Sequence, residues 1–381
     1  MDDLKDIGAV YFIGIGGIGM SAMARYFKST GRRVNGYDRT ETPLTRQLVK
    51  EGIGVDYTDN PDRVPKDVQL VIYTPAIPGD HKGLAYYRSH GYNVLKRSDV
   101  LGLITKSSLN VCVAGTHGKT TISTLIAHIL RHSGFGCNAL LGGISSNYNT
   151  NFWSNERNVW VVEADEYDRS FLKLHPDIAV VSSMDADHLD IYGTLAAVEE
   201  AFIAFSEKIK DGGTLINKYG LPLPHPGRSV QQYSYHLSDP QADIYAENIG
   251  IDEGSYRFDV GGKNWMLKGV KLNIGGWHNI ENALAAIAVS KKLGLTDEQI
   301  LEAVDLFRGV KRRFEYHVKG RGAIYIDDYA HHPRELEALI SSAKALYPER
   351  QCVVIFQPHL FSRTRDFAGA FAASLDLADE V

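Results

Sequence analysis

Cysteine is scarce in this 381-residue chain: Cys112, Cys137 and Cys352 are scattered, with no C-x-x-C pairing. That argues against a disulfide framework or a cysteine-based zinc site and fits a reducing compartment. No apolar run approaches the ~20 residues needed to cross a bilayer. The opening MDDLKDIG lacks the basic region, apolar core and small-residue cleavage site of a signal peptide. Nor is there an excess of positive charge. Lys and Arg total 41 against 46 Asp and Glu, a net charge of −5, which leaves no footprint of a nucleic-acid binder. These absences predict a soluble, cytoplasmic protein with neither nucleic acid nor membrane as partner. An acidic balance still permits an anionic ligand, because backbone amides can build a local phosphate site.

What is present is length and rhythm. A chain this long exceeds what one hydrophobic core usually organises, so two or three domains are expected. Apolar runs at 9–14, 33–38 and 69–74 alternate with a helix-period segment at 17–30, a β-α-β pattern that implies a parallel sheet. That unit closes near residue 105, before the polar joint Lys106-Ser107-Ser108. A second set has strands at 109–114, 158–163, 178–183 and 213–217, with helices at 120–133, 278–293 and 297–307. Short pieces separated by Gly and Asp between 228 and 274 predict a small antiparallel sheet. A third rhythm begins near Arg312, with strands at 323–327 and 351–356. The reading is an α/β chain of three units, 1–106, 107–309 and 310–381. Two parallel strands are too few for a covered doubly wound sheet, so the last unit reads as incomplete.

The strongest motif follows strand 109–114: Gly115-Thr116-His117-Gly118-Lys119-Thr120-Thr121. Glycines at 115 and 118 let backbone N–H groups wrap phosphate oxygens at a helix N-terminus. Lys119 can reach the β- and γ-phosphates of ATP, and Thr120 can offer a hydroxyl to Mg²⁺. A strict G-x-x-x-x-G-K-[ST] pattern would want glycine where this chain has Val113; strand, loop, Lys-Thr and helix are nonetheless in place. A second loop, Gly14-Ile15-Gly16-Gly17-Ile18-Gly19, also joins strand to helix, and Asp38 stands near the spacing of a ribose-binding acid. Alone, that pair is a dinucleotide fingerprint, and an NAD-dependent oxidoreductase or a nucleotide sensor is the rival reading.

Acids and imidazoles gather at other strand ends. Glu163 closes strand 158–163, and His188 lies just beyond 178–183. In a parallel sheet both would face the crevice of the glycine loop, where they could complete Mg²⁺ coordination with Thr120. Asp165, Asp168, Asp185, Asp187 and Asp190 read as caps or solvated turn residues. Asn279 and Asn282, three apart at a helix start, share a face and could pair with an adenine edge, although Asn there more often caps. Lys311-Arg312-Arg313 could send a guanidinium across a domain joint. Residues 327–333 and 357–366 place His and Arg at a further crevice suited to a small carboxylate.

The ordered set GIGGIGMS, GTHGKTT, EADEYD, DADHLD, GWHNIENALAA, GVKRRFE, DDYAHHP and FQPHLFSRTRD resembles the Mur ligases over essentially the whole chain. The resemblance implies a UDP-binding Rossmann-like domain, a central P-loop ATPase domain and a Rossmann-like domain that brings the amino acid. It implies ATP-dependent attachment of L-alanine to the lactyl carboxylate of UDP-N-acetylmuramate through an acyl phosphate, a cytoplasmic step of peptidoglycan precursor synthesis. Attachment of a preformed peptide to the same sugar is the alternative. By the same resemblance, Gly14 and Gly16 to Gly19 with Ile18 hold the UDP pyrophosphate, Asp38 the uridine end, and Thr74 and Ala76 part of that pocket. Lys119 stabilises the migrating phosphoryl group, with Thr120, Glu163 and His188 around Mg²⁺. His278, Asn279 and Asn282 meet adenine, Arg313 and Asp328 assist with ATP, and Tyr329, His331 and Arg363 surround L-alanine, in a monomer or homodimer. Some family members carry arginine where this chain has Leu360, which shifts weight onto Arg363. The family also normally continues past this end, so the chain reads as shortened.

Overall fold

The computed structural model describes residues 4, 7–185, 189–227, 229–252, 254–320, 322–359 and 361–381, without the side chains at 189, 190 and 362. His188, Asp187 and Leu360 therefore lie outside the described residues. The chain begins with β1 (Ala9–Ile13), buried at every position, then α1 (Ile18–Ser29), β2 (Arg33–Tyr37) and α2 (Pro43–Lys50). It continues with β3 (Gly54–Asp56), β4 (Leu70–Tyr73), α3 (Lys82–Ser89), β5 (Val94–Lys96) and α4 (Arg97–Lys106). The five strands are parallel, in the order β3-β2-β1-β4-β5. β3 and β5 escaped the sequence pattern because three residues are too few to display a period.

Next come β6 (Leu109–Ala114), α5 (Lys119–His132), β7 (Asn138–Ser145), β8 (Thr150–Trp153), β9 (Val159–Glu163) and β10 (Ile178–Val181). They are followed by α6 (Leu189–Tyr192), α7 (Leu195–Ser206), β11 (Thr214–Lys218), β12 (Gln231–His236), β13 (Ile244–Asp252), β14 (Ser255–Gly262), β15 (Trp265–Leu272), α8 (Trp277–Lys292) and α9 (Asp297–Asp305). All ten strands form one sheet, β15-β14-β13-β12-β11-β10-β6-β9-β7-β8. The antiparallel strands expected in 228–274 are β13–β15, and they extend the parallel sheet through the Tyr235–Ile244 pair of β12 and β13. One apolar core explains the continuity: Val111, Val180, Ile216, Tyr235, Ile244 and Phe258 are all buried in it.

The last segment holds β16 (Glu315–Lys319), antiparallel to β17 (Ile324–Asp327), then α10 (Pro333–Leu346), α11 (Phe361–Asp366) and α12 (Ala368–Leu375). The expected strand at 351–356 is not one. Among the described residues its main chain meets only Asp379 and Glu380, in a single bridge from Val353, and Ile355 is 98% exposed. Apolar composition reads as strand, but a strand needs a neighbouring ladder.

The first unit is welded to the central one through α1. Tyr26 packs edge-on against Trp160 at 4.8 Å. Arg25 places two nitrogens on Glu51, at 2.7 and 3.0 Å, and a third on the fully buried Asn151 of β8. Asn151 in turn donates to the Ile18 carbonyl at 2.6 Å and to Ser21 Oγ at 3.0 Å. Replacing Arg25 by Met leaves Asn151 Oδ1 and Glu51 without these charged donors. A loss of about 2 kcal/mol in unfolding free energy is expected from urea titration.

The last unit docks through apolar packing, with Phe314 and Leu346 buried in the central core, and through polar contacts. Lys311 N donates to the Ile144 carbonyl at 2.9 Å, and Arg334 reaches Asp185 at 2.6 Å. Glu335 Oε1 sits 3.3 Å from His117 Nδ1, while its Oε2 accepts from the backbone of His331 and His332 at 3.0 and 3.2 Å. Burial alone would raise the Glu335 pKa, but the neighbouring His117 imidazole and the charge and backbone N–H of His331 together hold it down to about 2. A carboxyl depressed from the ordinary 4.5 contributes stability that is complete above that value and lost as pH falls toward 2. The stability advantage of the wild type over Glu335→Gln should therefore shrink across that window in denaturant titrations; a constant difference would count against this linkage.

Candidate active site

β6 delivers the chain to Gly115, at φ 138°, and Gly118, at φ 83°, begins α5. Both positions need glycine twice over. A Cβ on Gly115 would stand 2.1 Å from Ser182 Oγ, and one on Gly118 2.7 Å from Asn282 Oδ1. No side chain among the described residues caps α5, so its first N–H groups face the cavity as an anion site. Ser182 and Ser183, just past β10, hold the loop in shape. Ser183 Oγ meets Thr116 Oγ1 and accepts from His117 N, each at 2.8 Å, and Ser182 donates to the His117 carbonyl. The sequence reading passed over both serines.

Lys119 Nζ donates to the Gly115 carbonyl at 2.6 Å and to both oxygens of Glu166, at 2.9 and 2.7 Å. Burial would lower the lysine pKa, but the charges of Glu166, Asp165 and Glu163 outweigh it and the net shift is upward. Glu163 accepts from Thr120 Oγ1 at 3.2 Å, Ser123 Oγ at 3.2 Å and Gly142 N at 2.6 Å. Burial raises its pKa despite the Gly142 N–H and Lys119. That carboxylate has room only because β7 carries glycines: a Cβ on Gly142 would lie 2.3 Å from Glu163 Oε2. On neighbouring Gly143 it would lie 2.6 Å from Val310 and 2.8 Å from the Thr120 methyl.

At the start of α8 the cap is Gly276, and neither asparagine caps. Asn279 Nδ2 donates to the Gly275 carbonyl at 2.6 Å, and Asn282 Nδ2 to Asn279 Oδ1 at 3.0 Å. Burial, helped by Arg313, lowers the His278 pKa to about 4, so its imidazole is neutral at physiological pH. Asp328 spends both oxygens on backbone, accepting from Ala330 N in its own turn and from Phe314 N ahead of β16, at 2.7 Å each. The Tyr329 ring stacks under Arg312 at 4.9 Å, and its carbonyl meets His331 Nδ1 at 2.8 Å. A cavity of about 390 Å³ gathers Thr116 to Thr121, His278, Asn279, Asn282, Arg313, Asp328, His331 and Arg363 on one wall system. Glu166 lines it too, whereas Gly115, Glu163 and Tyr329 stand behind or beside it.

In the first glycine loop, Gly14 sits at φ 86°, and a Cβ there would lie 2.7 Å from the Thr74 methyl. Asp38 turns back on the loop: Gly16 N donates to its Oδ2 at 2.7 Å and Thr40 N to its Oδ1 at 3.3 Å. A second cavity, about 340 Å³, runs from Gly17, Ile18, Gly19 and Thr74 to Gly142, Glu163 and Lys119. Gly14, Gly16, Asp38 and Ala76 are not on its wall. Arg97, at the start of α4, is, with its guanidinium 2.8 Å from where a Gly19 Cβ would stand. The sequence reading missed Arg97; its only local signal was a basic residue between a short strand and a helix.

Three acids expected to be caps or solvated turn residues keep partly exposed side chains, as expected, Asp165 also accepting from Tyr167 N at 3.1 Å, and in addition make ion pairs between units. Asp165 faces Arg97 at 3.6 Å, Asp168 faces Lys96 at 3.0 Å, and Asp185 faces Arg334 at 2.6 Å.

Comparison with known proteins agrees with this geometry. Residues 9–108 match the Mur ligase family catalytic domain, 113–290 the Mur ligase middle domain, and 312–381 the Mur ligase glutamate ligase domain. The chain is 47% identical to the UDP-N-acetylmuramate–L-alanine ligase of Flavobacterium johnsoniae, over 100% of this chain and 84% of that protein. It is 48% identical to the ligase of that name from Parabacteroides distasonis, over 100% and 83%. Among solved structures, the UDP-N-acetylmuramate–alanine ligase of Thermotoga maritima superposes with a TM-score of 0.84 at 31% identity, covering 98% of this chain and 85% of that one. A murein peptide ligase from Psychrobacter arcticus shares the fold at TM-score 0.76 and 24% identity, covering 97% and 83%. The two glycine loops, the lysine between their cavities and these matches along the whole length make the chain a member of the Mur ligase family.

Proposed function

We propose that this chain joins L-alanine to the lactyl carboxylate of UDP-N-acetylmuramate at the expense of ATP, a step of peptidoglycan precursor synthesis. One observation carries the reading: Lys119 stands on the wall of both cavities, so one cation can serve a phosphate donor on one side and a sugar-linked carboxylate on the other. ATP would lie with its phosphates on Gly115 to Thr121 and its adenine against His278, Asn279 and Asn282, with Arg313 and Asp328 assisting. The UDP pyrophosphate would rest on Gly16 to Gly19, beside Arg97, with Gly14, Asp38, Thr74 and Ala76 shaping the uridine end. L-Alanine would meet Tyr329, His331 and Arg363.

The carboxylate oxygen attacks the γ-phosphorus, ADP leaves, and the acyl phosphate is then attacked by the alanine amine with loss of phosphate. Phosphorylation turns a poor leaving oxide into a good one, and Lys119 neutralises charge that moves during transfer. The oxygens of Thr120 and Glu163, 3.2 Å apart, form a donor pair of the hard type that Mg²⁺ takes, and His188 is the further ligand in this reading. Bound there, Mg²⁺ would screen the phosphates. No described helix is long and apolar enough to cross a membrane, in keeping with a cytoplasmic enzyme working as monomer or homodimer. The relatives at 47 and 48% identity carry the name of UDP-N-acetylmuramate–L-alanine ligases, which favours the L-alanine reading over a preformed peptide.

Phosphate release should require UDP-N-acetylmuramate and L-alanine together and fall at least about 100-fold in Lys119→Ala. Equal ATP turnover without any amino acid would sink the ligase assignment.

A further inference from the structure

Glu166 is the buried group in this site with no part in the reaction as described so far. It is 1% exposed, its backbone carbonyl is pinned by the Tyr192 hydroxyl at 2.6 Å, and both carboxylate oxygens lie on Lys119. It lines the same cavity as His331 and Arg363. Two consecutive non-glycine residues just after it, Asp168 and Arg169, hold left-handed backbone at φ 52° and 54°. The Arg169 guanidinium lies over the Tyr192 ring at 5.2 Å. Such strain persists only where the surroundings fix it, and here it accompanies a segment that aims Glu166 at the P-loop lysine.

The Lys119–Glu166 pair is electrically balanced. When a polyphosphate takes the lysine, Glu166 loses its counter-charge in a volume that Asp165 and Glu163 already make acidic. A buried region with surplus negative charge draws a cation. The remaining substrate supplies one, because the amine of a free amino acid arrives as an ammonium. An ammonium has no lone pair and cannot attack an acyl phosphate; it must first give up a proton within reach of the acyl carbon. Lys119 marks that place, since it neutralises the phosphate being transferred.

We infer that Glu166, released by Lys119 to the nucleotide, receives the ammonium group of the amino acid and takes its proton. In that step an N–H bond breaks, its electron pair stays on nitrogen, and the proton passes to a Glu166 oxygen. Nitrogen then bonds to the acyl carbon, the carbon–oxygen bond to phosphate breaks with its pair leaving on phosphate, and the second amine proton departs with the phosphate. The inference rests on the acyl-phosphate reading above and names the proton acceptor within it.

The test compares two nucleophiles. Enzyme given ATP, Mg²⁺ and UDP-N-acetylmuramate is supplied with either L-alanine or hydroxylamine, and amide and hydroxamate are quantified. Hydroxylamine attacks as a neutral amine and needs no proton acceptor beforehand. In Glu166→Gln the hydroxamate-to-amide ratio should rise about 100-fold over wild type, the scale of general-base catalysis. In Glu166→Asp, which keeps a carboxylate, the rise should stay below about tenfold; this variant also decides the matter if the glutamine protein does not fold. A ratio unchanged in both variants, with the two products falling together, would overturn the inference and leave Glu166 as a holder of Lys119 only. If wild type forms no hydroxamate that depends on UDP-N-acetylmuramate, the acyl-phosphate reading itself fails, and the inference with it.

Discussion

Two glycine loops are of use to one reaction only if the distance between them is fixed, and here that distance depends on the buried seam between α1 and β7–β8. The first glycine loop opens α1. The opposite face of that helix is locked to the sheet that carries the second loop, by Arg25 on Asn151 and Tyr26 on Trp160. A desolvated guanidinium with three directed bonds to two partners resists sliding in a way an apolar patch does not, because any shift leaves a buried polar atom without its bond. The cavity from Gly17 to Lys119 is a consequence of that registration.

On this frame the electrostatics are arranged asymmetrically. Lys119, Glu166, Glu163 and Asp165 crowd one small volume, so its net charge is set by whichever ligand is present. The joint to the last unit combines half-exposed ion pairs such as Arg334–Asp185, which exchange with water at little cost, with apolar packing, since Phe314 and Leu346 are buried in the central core. A joint that excludes water suits a reaction that must keep water from an acyl phosphate.

Much of this was legible in sequence because phosphate sites are local. A strand, two glycines, a lysine and a helix lie within about a dozen residues, and the strain at Gly115 and Gly118 is relieved by glycine alone. Contacts that join distant segments were not legible. Glu166, Arg97, Ser182 and Ser183 carry no spacing signal, because their partners lie far away along the chain, Lys119 being 47 residues from Glu166 and His117 66 from Ser183. Asp165 and Asp168 read as turn residues, since nothing in EADEYD reveals that Arg97 and Lys96 stand opposite. The segment 351–356 shows the converse error: its apolar residues met the pattern of a strand, but pairing is a property of neighbours.

The glycine pair of β7 has a wider consequence. Strand interiors disfavour glycine, and the β7–β8 pairing breaks register between Leu140 and Ser145, across Gly142 and Gly143. The sheet has given up side chains there so that a carboxylate from one side and Val310 from the other can both come close. Ligand chemistry and domain placement thus share two adjacent codons. A lineage drifting at Gly142 would crowd the Glu163 carboxylate, and one drifting at Gly143 would crowd the seat of Val310, so each property is held by its own glycine and the two stand side by side.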